Sequence, residues 1–252
     1  MLKQRLIPVL LLQEDGLYKT IKFKNPKYLG DPINAVKLFN DKEVDEIIIL
    51  DINASAENSP LNIEYIERLT SEAFMPLAYG GGVKTVEQAK KLLRLGVEKI
   101  IINSALFTHT NNVREMVKEL GSSTIVASID VKKSFLGKYE VFYKNGTIKH
   151  KDSLKETLEM VNDIGVGEVM INAIDKDGTM SGYDSVLIKT IEPLVNAPII
   201  ICGGLGHLDH LKQVTQSEVN GFAGGSFFVY HGPLKAVLIT YPNYHTLHEI
   251  LK

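Results

Sequence analysis

A chain of 252 residues that is 44% hydrophobic can bury one substantial core, and no second domain is required. Its formal charge of −2, without a lysine or arginine block, argues against a general nucleic-acid surface while leaving room for a local cationic site for a small phosphorylated anion. A single cysteine excludes an internal disulfide framework, the opening MLKQRLIPVL lacks a signal-peptide h-region, and no apolar run approaches the roughly 18 residues of a membrane span, so a soluble cytoplasmic protein is expected.

In chain order, short strand-like runs alternate with helical periodicity eight times, the written form of an α/β fold closed as a (β/α)8 TIM barrel. Strands are expected near 5–11, 46–51, 75–79, 98–103, 124–130, 168–173, 197–202 and 220–225. The first connection, Leu12 to Gly30, is long and carries Lys19, Lys22, Lys24 and Lys27. It reads as a mobile lid over an anionic ligand, with Lys19 a solvated part of it. Asp31-Pro32 and Ser59-Pro60 each place a capping side chain before a proline at the first helical position.

The stretch 76–104, PLAYGGGVKTVEQAKKLLRLGVEKIIINS, is a strand, a glycine turn, a helix opened by a Thr85/Gln88 capping box, and a second strand. Glycines at a strand exit let backbone N–H groups approach an anion, and Asn103-Ser104 supplies further donors to the same phosphate. The pattern returns as PIIICGGLGHLDHLKQ and NGFAGGSFF. Pro76, Gly81 and Ser104 match Pro198, Gly203 and Ser226, each 122 residues on. The single domain 1–252 is therefore read as two half-barrel repeats, approximately 1–122 and 123–252. Between them, Lys132 to Lys151 contains KYEVFYKNGT, whose Asn145-Gly146 suggests a hairpin, and Ser153 with Glu156 forms another capping box. Pro233 to Lys252 reads as one or two closing helices interrupted by Pro242.

Chemistry in such a barrel belongs at the C-terminal strand ends. That address holds Leu11, Asp51, Gly80, Asn103, Asp130, Asn172 or Ala173, Cys202 and Gly225. Gly81, Gly82, Asn103 and Ser104 suit one phosphate. Asp177, Gly178, Gly203, Gly204, Gly225 and Ser226 suit another on the opposite side. Asp51 reads as bonding the amides of the neighbouring loop, and Cys202 as a small buried filler. His207 and His210 lack a third ligand at metal spacing, so no metal is expected.

LDINAS at 50–55, GGG at 80–82, INSA at 102–105, SIDVKK at 128–133, DKDGTMSGYD at 175–184 and GG at 203–204 together resemble the cyclase subunit family of imidazole glycerol phosphate synthase, over nearly the whole chain. The resemblance implies two phosphate sites at the positions above, no cofactor, and a glutaminase partner docked at the bottom of the barrel. It also implies a pair of catalytic carboxylates after the first and fifth strands. Aligning RLIPVLL at 5–11 with TIVASID at 124–130 sets Asp130 opposite Leu11, and leucine cannot move a proton. Loss of a positioned acid or base typically costs about 10²–10⁴-fold in rate. Arg5, Glu46, Lys99 and Glu168 match the family's salt-bridged ammonia gate at the barrel bottom.

PVLLL at 8–12 and KFKNPKYLGDPINAVKLFN at 22–40 are similar to a divergent branch found in surface-polysaccharide gene clusters. Membership of that branch implies an ammonia-accepting, synthase-like subunit of a glutamine amidotransferase pair that supplies a separate sugar amidotransferase. The alternative is a genuine cyclase of histidine biosynthesis. The related sugar-isomerase barrel also needs the first-strand carboxylate and is disfavoured by Leu11. Partners in nucleic acid or membrane are not expected.

Overall fold

The computed structural model describes residues 4–54 and 59–251. Ser55, the last residue of the LDINAS motif, lies outside them. The chain opens with β1 (Arg5–Gln13), β2 (Gly16–Ile21) and β3 (Lys24–Gly30), then α1 (Pro32–Asn40) and β4 (Ile47–Asp51). It continues through α2 (Ile63–Ser71), β5 (Leu77–Gly80), α3 (Val86–Arg94), β6 (Lys99–Ile102), α4 (Ser104–Thr108) and α5 (Thr110–Leu120). β7 (Ile125–Lys133), β8 (Tyr139–Tyr143), β9 (Ile148–Ser153), α6 (Leu154–Ile164), β10 (Glu168–Ala173), α7 (Ser185–Ile191) and β11 (Ile199–Cys202) follow. The chain closes with α8 (Asp209–Lys212), β12 (Val219–Gly224), α9 (Ser226–Val229), β13 (Tyr230–His231), β14 (Ala236–Val237) and α10 (Tyr244–Ile250).

Eight strands pair in parallel in the cyclic order β1, β4, β5, β6, β7, β10, β11, β12 and back to β1. This is the expected TIM barrel. Alternate side chains along each strand divide the core. Outward residues pack against the helices, while Ile7, Ile48, Ala78, Ile101, Val126 and Met170 fill the bore. The helices begin where the local chemistry directs. Thr85 and Ser153 form reciprocal capping boxes with Gln88 and Glu156, and α3 turns Val86, Ala89 and Leu92 inward at helical spacing. Asp31 caps α1 through Ile33 N–H. Among the described residues no helix is long and apolar enough to cross a membrane.

Three expectations change. The first connection is an antiparallel hairpin in which β2 pairs with both β1 and β3, so the backbone groups of a supposed loop are spent in a ladder. Its turn uses Lys22 and Phe23 at φ +53° and +60°, a left-handed pair without the usual glycine signal. α2 is capped by Asn62, not Ser59. The C-terminal segment holds the β13–β14 pair as well as α10, instead of one or two helices. The β8–β9 hairpin forms as expected.

Candidate functional site

At the bottom of the barrel, Arg5, Lys99 and Glu168 begin strands β1, β6 and β10, and Glu46 stands just before β4. Arg5 donates one N–H to Glu46 Oε2 and another, at 2.8 Å, to Glu168 Oε1. Lys99 Nζ lies 3.2 Å from both carboxylate oxygens of Glu46 and 3.1 Å from Glu168 Oε2. Each ion thus meets two of opposite sign in a closed ring. The side chains are only 4–21% exposed, which separates them from ordinary surface pairs that contribute little. Two positive and two negative charges make the ring neutral, the condition under which four ions are tolerated in a poorly solvated place.

Above the apolar bore the strand ends open into a cavity of about 430 Å³. Gly81, Gly82, Asn103, Ser104, Asp130, Asp177 and Gly225 line it, together with Leu11. Gly178, Gly203, Gly204 and Ser226 do not, so only part of the second expected phosphate set faces this space. Gly81 sits at φ +120°, and a Cβ there would stand 2.4 Å from the Asp51 carbonyl oxygen, so no other residue fits this approach. Asp51 accepts N–H bonds of 3.0 Å from Asn53 and Ala54, shaping its own loop. Ser104 Oγ accepts from Lys144 N–H at 3.2 Å, which draws the β8–β9 turn over the first cradle.

Asp130 is buried and, among the described residues, receives one side-chain hydrogen bond, from Asn103 Nδ2 at 3.2 Å. Burial pushes its pKa up to about 7 against the opposing Asn103 bond, with the Asp177 charge adding to the rise. A carboxyl so placed exchanges a proton near neutrality. No carboxylate stands at the matching end of β1, where Leu11 pairs in register with Leu50.

The placement of Asp177 and Lys19 departs from the sequence reading. The Asp177 carboxylate accepts from Lys19 Nζ at 2.7 Å, Thr20 Oγ1 at 2.8 Å and Phe23 N–H at 3.3 Å. Its own N–H is used by the carbonyls of Ala173 and Ile174. Asp177 therefore fastens the β2–β3 hairpin, and both of its hydrogen-bonding ends are occupied within the protein. Lys19 is not solvated: it is 6% exposed, and its stem lies where a side chain on Gly225 would go. A lysine directly before a strand-forming threonine carries no local signal of burial, because its partner is 158 positions away.

Sequence reasoning missed Thr20, Phe23, Lys84, His109 and Lys144, all of which line the cavity. Lys144 directly precedes the Asn145-Gly146 turn, and its N–H reaches Ser104 Oγ. Cys202 is buried, and its thiol pKa is pushed up to about 12 by burial, consistent with an inert filler. Among the described residues no group of three or more His, Cys, Asp or Glu side chains is arranged to hold a metal ion.

A family model described as histidine biosynthesis protein matches residues 5–235. A Pseudomonas aeruginosa protein, provisionally named imidazole glycerol phosphate synthase subunit hisF2, is 46% identical over 98% of this chain and 99% of its own length. A Leptospira borgpetersenii protein with a similarly provisional name is 49% identical over 96% of each chain. The imidazole glycerol phosphate synthase subunit HisF of Streptococcus gordonii is 34% identical over 91% of this chain and 92% of its own.

Proposed function

The chain belongs to the histidine biosynthesis protein family, among the cyclase subunits of imidazole glycerol phosphate synthase, and we propose that it is the ammonia-accepting half of a glutamine amidotransferase pair. A glutaminase docks on the bottom face, ammonia enters between Arg5, Glu46, Lys99 and Glu168, and the apolar bore passes it to the mouth. Neutral ammonia crosses such a bore far more cheaply than ammonium, because an unpaired charge loses its solvation there. At the top, Gly81, Gly82, Asn103 and Ser104 hold a phosphorylated ligand. The nitrogen then serves a separate enzyme that amidates a surface-polysaccharide sugar. The carrying observation is a contrast along one axis: the ring below is complete, while Leu11 offers Asp130 a hydrocarbon in place of a proton-transfer partner.

The second reading, a working cyclase, is the one that the names of the relatives describe. The specific feature in its favour is Asp177, which lines the same cavity as Asp130 and raises its pKa. To take the missing role its carboxylate has to leave Lys19, Thr20 and Phe23. Two assays divide the readings. Co-purified with its glutaminase, the barrel is expected to accelerate glutamine hydrolysis, and hydrolysis that ignores the barrel refutes the pairing. Given ammonium and the histidine-pathway ribonucleotide, the purified barrel is expected to form no imidazole product. Turnover at ordinary enzyme rates replaces the first reading with the second.

A further inference from the structure

Strand β7 continues past Asp130 to Lys133 before turning back into β8, so its end stands beyond the strand ends that form the mouth. The turn carries Phe135, fully exposed, and Leu136, 82% exposed. An adjacent apolar pair this bare, with nothing from its own chain over it, is a candidate contact surface. The turn is also well fastened. Ser134 N–H donates to Lys138 O at 2.7 Å, Gly137 N–H to Ser134 O at 2.9 Å, and Lys138 N–H to Ser134 Oγ at 3.1 Å. Its base is held at two more points, Lys133 N–H to Asp175 Oδ2 at 2.7 Å and Tyr139 O–H to Asp184 Oδ2 at 2.9 Å. A protruding contact held in one shape loses little entropy on binding, which is what a docking anchor requires.

Charge narrows the occupant. Lys132, Lys133 and Lys138 surround the tip, are exposed, and make no ion pair among the described residues. A second copy of this tip would set lysine against lysine, whereas a slot rimmed by Asp and Glu complements it. Position decides between a protein and a lipid surface. On the reading of this chain as an ammonia conduit, on which this inference rests, nitrogen released at an open mouth would be protonated by water, so its consumer must cover the mouth. We propose that the Phe135–Leu136 tip is the docking knob for the enzyme that consumes the ammonia, a protein presenting an apolar slot with an acidic rim.

Photo-crosslinking tests this in the host cell with two probes. Phe135→p-benzoylphenylalanine reports on the tip. Phe74→p-benzoylphenylalanine reports on the bottom face, where Phe74 is exposed and its N–H is held by Asn40 Oδ1 at 2.9 Å. The expected adduct at position 135 is an enzyme that, once purified, forms a C–N bond with ammonium as nitrogen source. Its yield is expected to fall at least tenfold when Lys132, Lys133 and Lys138 are all changed to glutamate, with the adduct at position 74 unaffected as the control for folding. A lipid, the glutaminase, a second copy of this chain, any other protein, or no adduct at position 135 overturns the knob. Absence of a glutaminase adduct at position 74 counts instead against the bottom-face docking of the proposed function, so the two failures are told apart.

Discussion

The two ends of this barrel treat polarity in opposite ways. At the bottom, four ions satisfy one another completely, and each has two partners. At the mouth, Asp130 has a single amide donor and the buried Asn172 Oδ1 has no partner among the described residues. Closed polarity belongs to a structure that is finished without a ligand. Open polarity is held in readiness for one, at a cost to the ligand-free fold. The difference separates the two jobs proposed for the chain, admission below and recognition above.

Substitutions break or sharpen that contrast. The largest effect is expected from Glu46→Ala, which leaves Arg5 and Lys99 facing each other with Glu168 alone between them. Stability should fall by about 3–5 kcal/mol, read from the denaturant midpoint. At the top, Asp130→Asn should do the reverse. The folded protein keeps the Asp130 proton up to about pH 7, whereas the unfolded chain releases it near 4. Between those values the folded state binds more protons, so the contribution of Asp130 to stability declines as pH rises and then levels off. The asparagine variant should therefore gain on the order of 4 kcal/mol at pH 8 and nothing at pH 4, measured as the difference between two melting series. Ser226→Ala removes a buried hydroxyl without a partner among the described residues and is expected to raise stability by about 0.5–1 kcal/mol, read from the denaturant midpoint. A smaller change than that of Glu46→Ala is expected when the whole ring is replaced at once, Arg5→Met, Glu46→Leu, Lys99→Met and Glu168→Leu. Stability should stay within about 2 kcal/mol of the parent, because ion pairing and desolvation leave together, while glutamine-dependent nitrogen delivery is lost.

Much of the fold could be read from local text, since eight apolar runs and the capping residues Thr85, Ser153 and Asp31 act over a few positions. The hairpin turn at Asn145-Gly146 was legible for the same reason. The turn at Lys22-Phe23 was not, because its left-handed pair is imposed by attachment to Asp177 and by the ladder to β1 rather than by residues that favour it. The ring and the meaning of Leu11 came from the family resemblance, because residues as far apart as Arg5 and Glu168 carry no local signal of meeting. The burial of Lys19 escaped even that, because nothing near it in sequence shows that Asp177 and Gly225 will enclose it.

The closed circuit of Arg5, Glu46, Lys99 and Glu168 also restricts how descendants of this gene can drift. Any single mutation that removes a charge there strands its partners, so the least costly way out of this arrangement is a compensated exchange in which two or more codons change together. That barrier adds to whatever selection the passage of ammonia itself imposes on the circuit.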